Sequence, residues 1–406
     1  MIQSIHFELS LLGLAVVSSF VSWSAMAQDS GQSGGVPWGP VTVYPEVEVT
    51  HKSNDNIYSQ SAMKVSSNIK VVAPKVKFEA KTGPNTFDVT YRLERGLYNS
   101  VSSANYTDQG LSGNAAWILS GRSDLKMMAE YLLGHDDQGA VPGVNQHDKP
   151  DLWHQSSLSG TTAYGAEGAQ GRVEFDAGLT NKRYENFLRK ADGMPDNLKR
   201  DRDDAKLGAT LYWRVMPKTR MLFQVAQTQY NYRQNTVASW TSLNSTDRKY
   251  LVGVTWDAAA KTTGVFKVGT EKKDFSDGTL TDFSGTSWDG SVKWSPLTYS
   301  SVELTTGRSV GESSIGNASL DTRLGLSWSH SWNSRLTSVA SLSNTDTDYQ
   351  GYPQTDKTKV YGLKLNYQPT RTIKLGAGYD RTDKTSSTPT SEYQRGIFNV
   401  FLNAAL

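Results

Sequence analysis

Phe87-Asp88-Val89-Thr90-Tyr91-Arg92-Leu93-Glu94 alternates apolar and polar residues without a break. In an extended chain, successive side chains point to opposite faces, so this octapeptide is a strand with one apolar and one polar face. The same alternation runs through Val173-Glu174-Phe175-Asp176-Ala177 and Leu207-Gly208-Ala209-Thr210-Leu211-Tyr212-Trp213-Arg214-Val215. It returns in Tyr361-Gly362-Leu363-Lys364-Leu365-Asn366-Tyr367 and Ile373-Lys374-Leu375-Gly376-Ala377-Gly378-Tyr379. Helical spacing fits none of these segments.

Short turns separate the strands, among them Thr82-Gly83-Pro84-Asn85, Gly121-Arg122-Ser123, Met216-Pro217-Lys218, Ser295-Pro296-Leu297 and Gln368-Pro369-Thr370. They recur about every 36 to 49 residues, the length of two long strands and one longer loop. The alternate connections are long and polar, the longest being Asp136–Leu152 and Asn186–Arg200. Short turns at one end and long loops at the other predict an all-β, transmembrane, antiparallel up-and-down barrel of about eighteen strands, sixteen being the alternative count.

Composition agrees with one large membrane sheet. The 406 residues include 11 Trp, 19 Tyr and 35 Gly, with 20% charged residues, a net charge of +2 and no Cys. Absence of Cys excludes a disulfide scaffold and thiol chemistry. The near-neutral charge gives no electrostatic footprint for nucleic acid. Leu11 to Ala27 is an apolar stretch ending in Ala25-Met26-Ala27. It predicts a cleaved signal peptide over 1–27, although no Lys or Arg precedes it. A short periplasmic lead over 28–40 and a barrel over 41–406 follow, with no plug domain expected before the first strand.

Trp117, Trp213, Trp256, Trp294, Trp328 and Tyr367 all lie just before a short turn. They predict an aromatic belt at one membrane interface. Tyr98, Tyr106, Tyr184, Tyr250, Tyr349 and Tyr393 lie near the long loops and predict the opposite belt. In the last strand Phe398, Val400, Leu402, Ala404 and Leu406 share one face, so the chain ends on a lipid-facing residue. That ending resembles the terminal insertion signal of outer-membrane barrels, which usually close on Phe or Trp.

The mature N-terminus carries Val41-Thr42-Val43-Tyr44-Pro45-Glu46-Val47-Glu48-Val49-Thr50, then Ser53-Asn54-Asp55-Asn56-Ile57-Tyr58. The TGPN turn and Asp88-Val89-Thr90-Tyr91-Arg92-Leu93-Glu94-Arg95-Gly96-Leu97-Tyr98 follow. This order resembles the putative β-barrel porin 2 family, including EpsL-like proteins of exopolysaccharide operons. The resemblance spans the mature chain and rests on one tetrapeptide, Asp-Asn-Ile-Tyr, and on hairpin rhythm. It implies an outer-membrane protein of a Gram-negative bacterium with a role in polymer export, and it brings no catalytic residues.

A barrel of this size leaves a water-filled lumen. Alternation assigns to its wall Arg92, Glu94, Lys126, Glu130, Arg172, Glu174, Asp176, Lys206, Tyr212, Arg214, Lys249, Asp257, Lys293, Glu303, Arg323, Lys364, Lys374 and Asp380. Signs are mixed, so no single-sign ring for strong ion selection is expected. The ladder reads first as cross-strand pairs that stiffen the barrel and second as a solvated wall. Tyr212 could stack a sugar ring, though structural filler is the plainer reading. Asp136–Leu152 and Asn186–Arg200 are long enough to fold inward as constrictions.

Catalytic readings are weaker. His135-Asp136-Asp137 and His147-Asp148 sit in or beside a polar loop, where solvated charge is the simpler account. His147, Asp148, Asp151 and His154 could hold a metal weakly, but no metalloprotease or calcium-loop motif occurs. No cofactor is expected. The reading is therefore a non-enzymatic channel for an exopolysaccharide or capsular polymer. A general diffusion porin is the alternative, ahead of a barrel hydrolase or a structural or adhesive barrel. Expected partners are outer-membrane lipid and lipopolysaccharide, the polysaccharide itself and periplasmic export machinery, with no nucleic acid.

Overall fold

The computed structural model describes residues 34–137, 139, 149–166, 168–185, 197, 200–233, 241–259, 261–313 and 315–406. The leader over 1–27, the start of the lead, the His147-Asp148 pair and most of both long loops lie outside the described residues. Among the described residues nineteen strands form a single sheet. They are β1 (Val36–Trp38), β2 (Val41–Asn54), β3 (Ser67–Thr82), β4 (Asn85–Tyr98), β5 (Tyr106–Ser120), β6 (Ser123–Asp136), β7 (Asp151–Tyr164), β8 (Gly171–Tyr184), β9 (Arg202–Met216) and β10 (Thr219–Tyr232). Then come β11 (Ser245–Ala259), β12 (Thr262–Phe275), β13 (Phe283–Leu297), β14 (Ser300–Gly311), β15 (Ala318–Ser331), β16 (Leu336–Gln350), β17 (Thr355–Tyr367), β18 (Ile373–Ser386) and β19 (Tyr393–Ala405).

Each strand from β2 to β19 pairs antiparallel with its chain neighbours, and β19 pairs with β2 from Ile397↔Asn54 to Ala405↔Glu46. The sheet is thus a closed barrel of 18 strands. Closure pairs every barrel strand on both sides, except that the start of β2 runs on past the last β19 pair, Ala405↔Glu46. Among the described residues there is no α-helix, only two short 3-10 turns. The tight turns follow their sequence: Gly83 takes φ 58° between β3 and β4, a conformation that a Cβ disfavours.

Register keeps the apolar rows on one face. Leu207, Leu179 and Leu363 are 65%, 60% and 60% exposed, as expected of side chains that meet lipid rather than protein. Trp213, Trp294, Trp328 and Tyr367 are exposed on that outer face near the short turns. Trp117 and Trp256 share it, half-buried.

The belt expected at the long-loop end needs correction. Tyr106, Tyr184 and Tyr349 are buried on the enclosed face, and Tyr98 and Tyr393 share its register. Only Tyr250 of that set is outward and exposed. Tyr91, Tyr131, Tyr361 and Tyr379 stand outward instead. Proximity to a loop does not choose a face; parity along the strand does.

The lead contributes a strand of its own. Within 28–40, β1 pairs Val36↔Val43 and Trp38↔Val41. It covers the edge of β2 below the point where β19 ends, since the last ladder pair there is Ala405↔Glu46. An edge that the barrel leaves open is closed by a three-residue strand.

Candidate functional site

The enclosed face changes character along its length. All eighteen charged or aromatic positions assigned to the wall by alternation fall on the face opposite the exposed aliphatic rows. Near the short turns this face is open to water: Lys126, Asp257, Lys293 and Glu303 are exposed, as are the inward Thr305 and Ser341. Near the long loops it is packed: Asp136, Asp151, Glu271, Lys273 and Asp321 are at most 2% exposed.

Part of the charge ladder pairs within the wall. Arg172 lies 2.9 Å from both Asp124 and Glu174. Lys249 lies 3.0 Å from Glu271, and Arg323 lies 2.5 Å from Asp321. Asp176 accepts from Thr161 at 2.7 Å, Glu303 from Ser291 at 3.2 Å, Asp257 from Thr263 at 3.4 Å, and Glu94 from the Tyr106 hydroxyl at 2.5 Å. By contrast, Lys126, Lys206, Arg214, Lys293, Lys364 and Lys374 have no carboxylate within ion-pair distance among the described residues. Glu130 and Asp380 have no basic partner at that distance. The ring of Tyr212 lies among Arg172, Glu174 and Asp176, with Arg92 and Glu94 farther along the wall.

At the packed end, loop residues reach the wall. Arg200, after the β8–β9 loop, pairs with Asp136 and lies 3.3 Å from Asp151. It also donates to Asn197 at 2.9 Å and to the Tyr184 hydroxyl at 2.8 Å. Asn197, fully buried, donates to Asp151 at 2.9 Å, and the Trp153 indole donates to Asp136 at 3.0 Å. Burial would push the Arg200 guanidinium down, but Tyr184, Asp136 and Asp151 raise it. A charge so placed is retained only because its partners are.

Glu312 does the same from the β14–β15 loop. It bonds the Tyr232 hydroxyl on β10 and the Lys273 ammonium on β12. Burial pushes its carboxyl up, yet Lys273 and Arg202 outweigh that and hold it below 4.5. Lys273 in turn lies 4.1 Å over the Tyr230 ring. Sequence reasoning passed over Glu312, since nothing local marks a loop glutamate as reaching back across two strands.

The β2–β3 loop closes the third side. Asn56 is fully buried and donates to the carbonyls of Gln394 and Gln60 at 2.9 and 2.8 Å. Asp55 accepts from the Gly396 amide at 2.7 Å, and Arg395 donates to Ser59 at 3.3 Å. The Asp-Asn-Ile-Tyr tetrapeptide therefore sits on the junction of first and last strands.

His135 is not solvated charge. Beyond Gln109↔Leu133 the β5 and β6 strands stop pairing, and the His135 ring enters that gap. Its Nδ1 lies 2.9 Å from Asp108, its Nε2 3.4 Å from Asp137, and it stacks on Tyr106 at 3.9 Å. Burial pushes the Asp137 carboxyl up, but His135, then Arg395 and Lys52, pull it below the usual range. Neighbouring Asp136 points elsewhere, to Arg200 and Trp153. Among the described residues no group of three or more His, Asp or Glu is arranged to hold a metal.

A family model described as "Putative beta-barrel porin 2" matches residues 29–405. No curated protein matches the chain. Among solved structures, OpdL of Pseudomonas aeruginosa is similar at 10% identity and TM-score 0.48, covering 90% of this chain and 98% of that one. The ferric enterobactin receptor PfeA of the same organism is similar at 8% identity and TM-score 0.47, over 90% and 80%. The copper transporter OprC is similar at 10% identity and TM-score 0.47, over 92% and 81%.

Proposed function

The chain belongs to the putative β-barrel porin 2 family of outer-membrane proteins, and from that premise we propose that it conducts an exopolysaccharide or capsular polymer out of a Gram-negative periplasm. The observation that carries this reading is the gradient along the enclosed face. Its short-turn end, periplasmic in bacterial barrels, is water-exposed, while its long-loop end is packed by side chains and loop residues. A path open on the periplasmic side and closed outside suits loading from within.

Wall chemistry supports the same reading. Paired acids and bases with interleaved Ser, Thr and Asn offer many weak polar contacts and no single-sign ring. A hydroxyl-rich polymer binds such a wall at each step without being trapped by it. We assign the wall to the residues from Arg92 to Asp380 named above. The exposed Lys126, Asp257, Lys293 and Glu303 stand at the entrance, and Arg200 and Glu312 fasten the exit. Family membership favours a channel over a catalyst. The EpsL-like reading, the polymer and a periplasmic partner belong to this proposal.

Deleting the gene tests it. The expected result is polymer retained in the periplasm, and unaltered secretion rejects the reading. A general diffusion porin is the second reading, favoured by the unpaired, water-exposed Lys126 and Lys293. It predicts steady conductance from the purified protein in planar bilayers without any change at the loops.

A further inference from the structure

We propose that His51, Lys70 and Arg95, on the outer face of β2–β4, bind the phosphate-bearing head of lipid A. The inference rests on outer-membrane placement and is independent of what the barrel transports.

Register brings the three together. His51 pairs directly with Lys70, Lys70 with Leu97, and Arg95 with Val72. Opposed side chains of an antiparallel pair lie about 5 Å apart and diagonal ones about 7 Å. His51, Lys70 and Arg95 therefore form one patch, and all three are exposed. Val49, Val72 and Leu97 frame it and are exposed on the same face.

Acids accompany most other cations of the outer surface. Lys272 and Lys359 are also outward, exposed and outside ion-pair distance of an acid among the described residues, but Asp274 is two residues from Lys272 and Asp383 lies directly across from Lys359 in register. Arg183 and Arg233 flank Asp203 at 2.5 and 2.9 Å. Arg248 pairs with Asp274 at 2.5 Å, Lys357 with Asp346 at 3.4 Å, and Arg381 with Asp383 at 2.9 Å. No acid lies within ion-pair distance of His51, Lys70 or Arg95 among the described residues. Among the described residues the one polar side-chain contact of the patch is from Arg95 to the Thr107 hydroxyl. Positive charge without a protein counter-ion, at a surface that meets lipid, calls for an anion from the lipid.

Height selects that anion. Lys70 and Arg95 lie about a dozen residues from the short turn between β3 and β4. At about 3.3 Å per residue and a tilt of about 40°, they stand roughly 25–30 Å above it. The apolar band of such barrels is about 25 Å tall, so the patch sits at the outer headgroup level. Lipid A places phosphates at that level, above several acyl chains. The Arg95 guanidinium presents a planar fork to phosphate, Lys70 a point charge and His51 a ring N–H. Val72 and Leu97 meet the chains.

The test uses full-length protein folded in detergent, checked by heat-modifiable gel migration and titrated by native mass spectrometry. Bis-phosphorylated lipid A is expected to bind the wild type, and Lys70→Gln with Arg95→Gln to weaken it by about tenfold or more. Arg248→Gln, whose cation already has an acid, is expected to bind as the wild type does. Dephosphorylated lipid A is expected to bind the wild type about as weakly as lipid A binds the double variant. Undiminished binding by the double variant overturns the proposal, as does equal affinity of the wild type for the two forms of lipid A. Equal affinity for phosphatidylglycerol overturns it too, by making the patch a general phosphate site. Should the double variant fail to fold, the wild-type comparison of the two forms decides alone.

Discussion

The side-chain amide of Asn56, just after the first long strand, donates to the backbone carbonyl of Gln394 in the last one, at 2.9 Å. The residues are 338 apart in sequence, and the contact spans the junction that closes the barrel. The same side chain donates to the Gln60 carbonyl at 2.8 Å and accepts from the Gln60 amide at 3.0 Å. Asn56→Ala strands all three partners in a buried site, at about 2–3 kcal/mol. Asn56→Asp should be no milder, because a carboxylate would face two carbonyl oxygens with no proton to give. Denaturant midpoints in detergent for both variants check this, and an Asp variant as stable as the wild type would contradict it.

Glu312 makes the β14–β15 loop sensitive to acid. Its carboxyl is held below 4.5 in the folded protein, so its contribution is complete at neutral pH. That contribution is lost as pH falls through the lowered value, when the acid protonates and releases Lys273 and Arg202. Hydrogen exchange of residues 311–313 and 315–317 should stay slow at pH 7 and rise in acid, as pH falls through the lowered value. Glu312→Gln should exchange fast at both. Leaving Lys273 buried without its anion costs on the order of 3–5 kcal/mol locally. Exchange that ignores both pH and substitution would place Glu312 outside the lock.

Gly96 is small for a reason that lies on the next strand. A Cβ there would fall 2.1 Å from the Tyr106 ring, which stacks on His135 and whose hydroxyl donates to Glu94. Gly96→Ala should displace Tyr106, break the Glu94 contact and cost about 1–3 kcal/mol. Gly113, on the lipid-facing surface of β5, offers the control: a Cβ there meets only a backbone oxygen at 3.9 Å. Thermal gel-shift midpoints should fall for the first variant and hold for the second.

Lys126 and Lys293 carry unpaired charge at the open end. Replacing both by Glu should move the reversal potential toward cation preference by a few-fold in permeability at about 0.1 M salt. The shift should shrink near 1 M, as the screening length drops from about 10 Å to about 3 Å. Identical reversal potentials at both salts would remove the two lysines from the conducting path.

Much of this arrangement is written in local pattern. The alternation from Phe87 to Glu94 sets which side chains share a face, because the extended backbone turns each residue half way round. That is why the mixed charges from Arg92 to Asp380 could be placed on the enclosed face without coordinates, and why the hairpin rhythm yields the strand count. The Asp-Asn-Ile-Tyr segment was legible as a signature, though not as the clasp of the barrel junction.

Other features depend on register and on the path of loops. Tyr106, Tyr184 and Tyr349 lie beside long loops in sequence, yet they face inward and fill the outer end of the barrel. His135 meets Asp108 because β5 and β6 part company at their tips. Arg200 and Glu312 find their partners only when the closed sheet brings distant strands within reach. The sequence by itself determined the strands, their faces and their order, since these follow from backbone geometry within a few residues. Only the tertiary structure decided which charges are paired, which end of the barrel is packed and what fastens its junction. Those depend on distances between residues far apart in the chain, which closure alone sets.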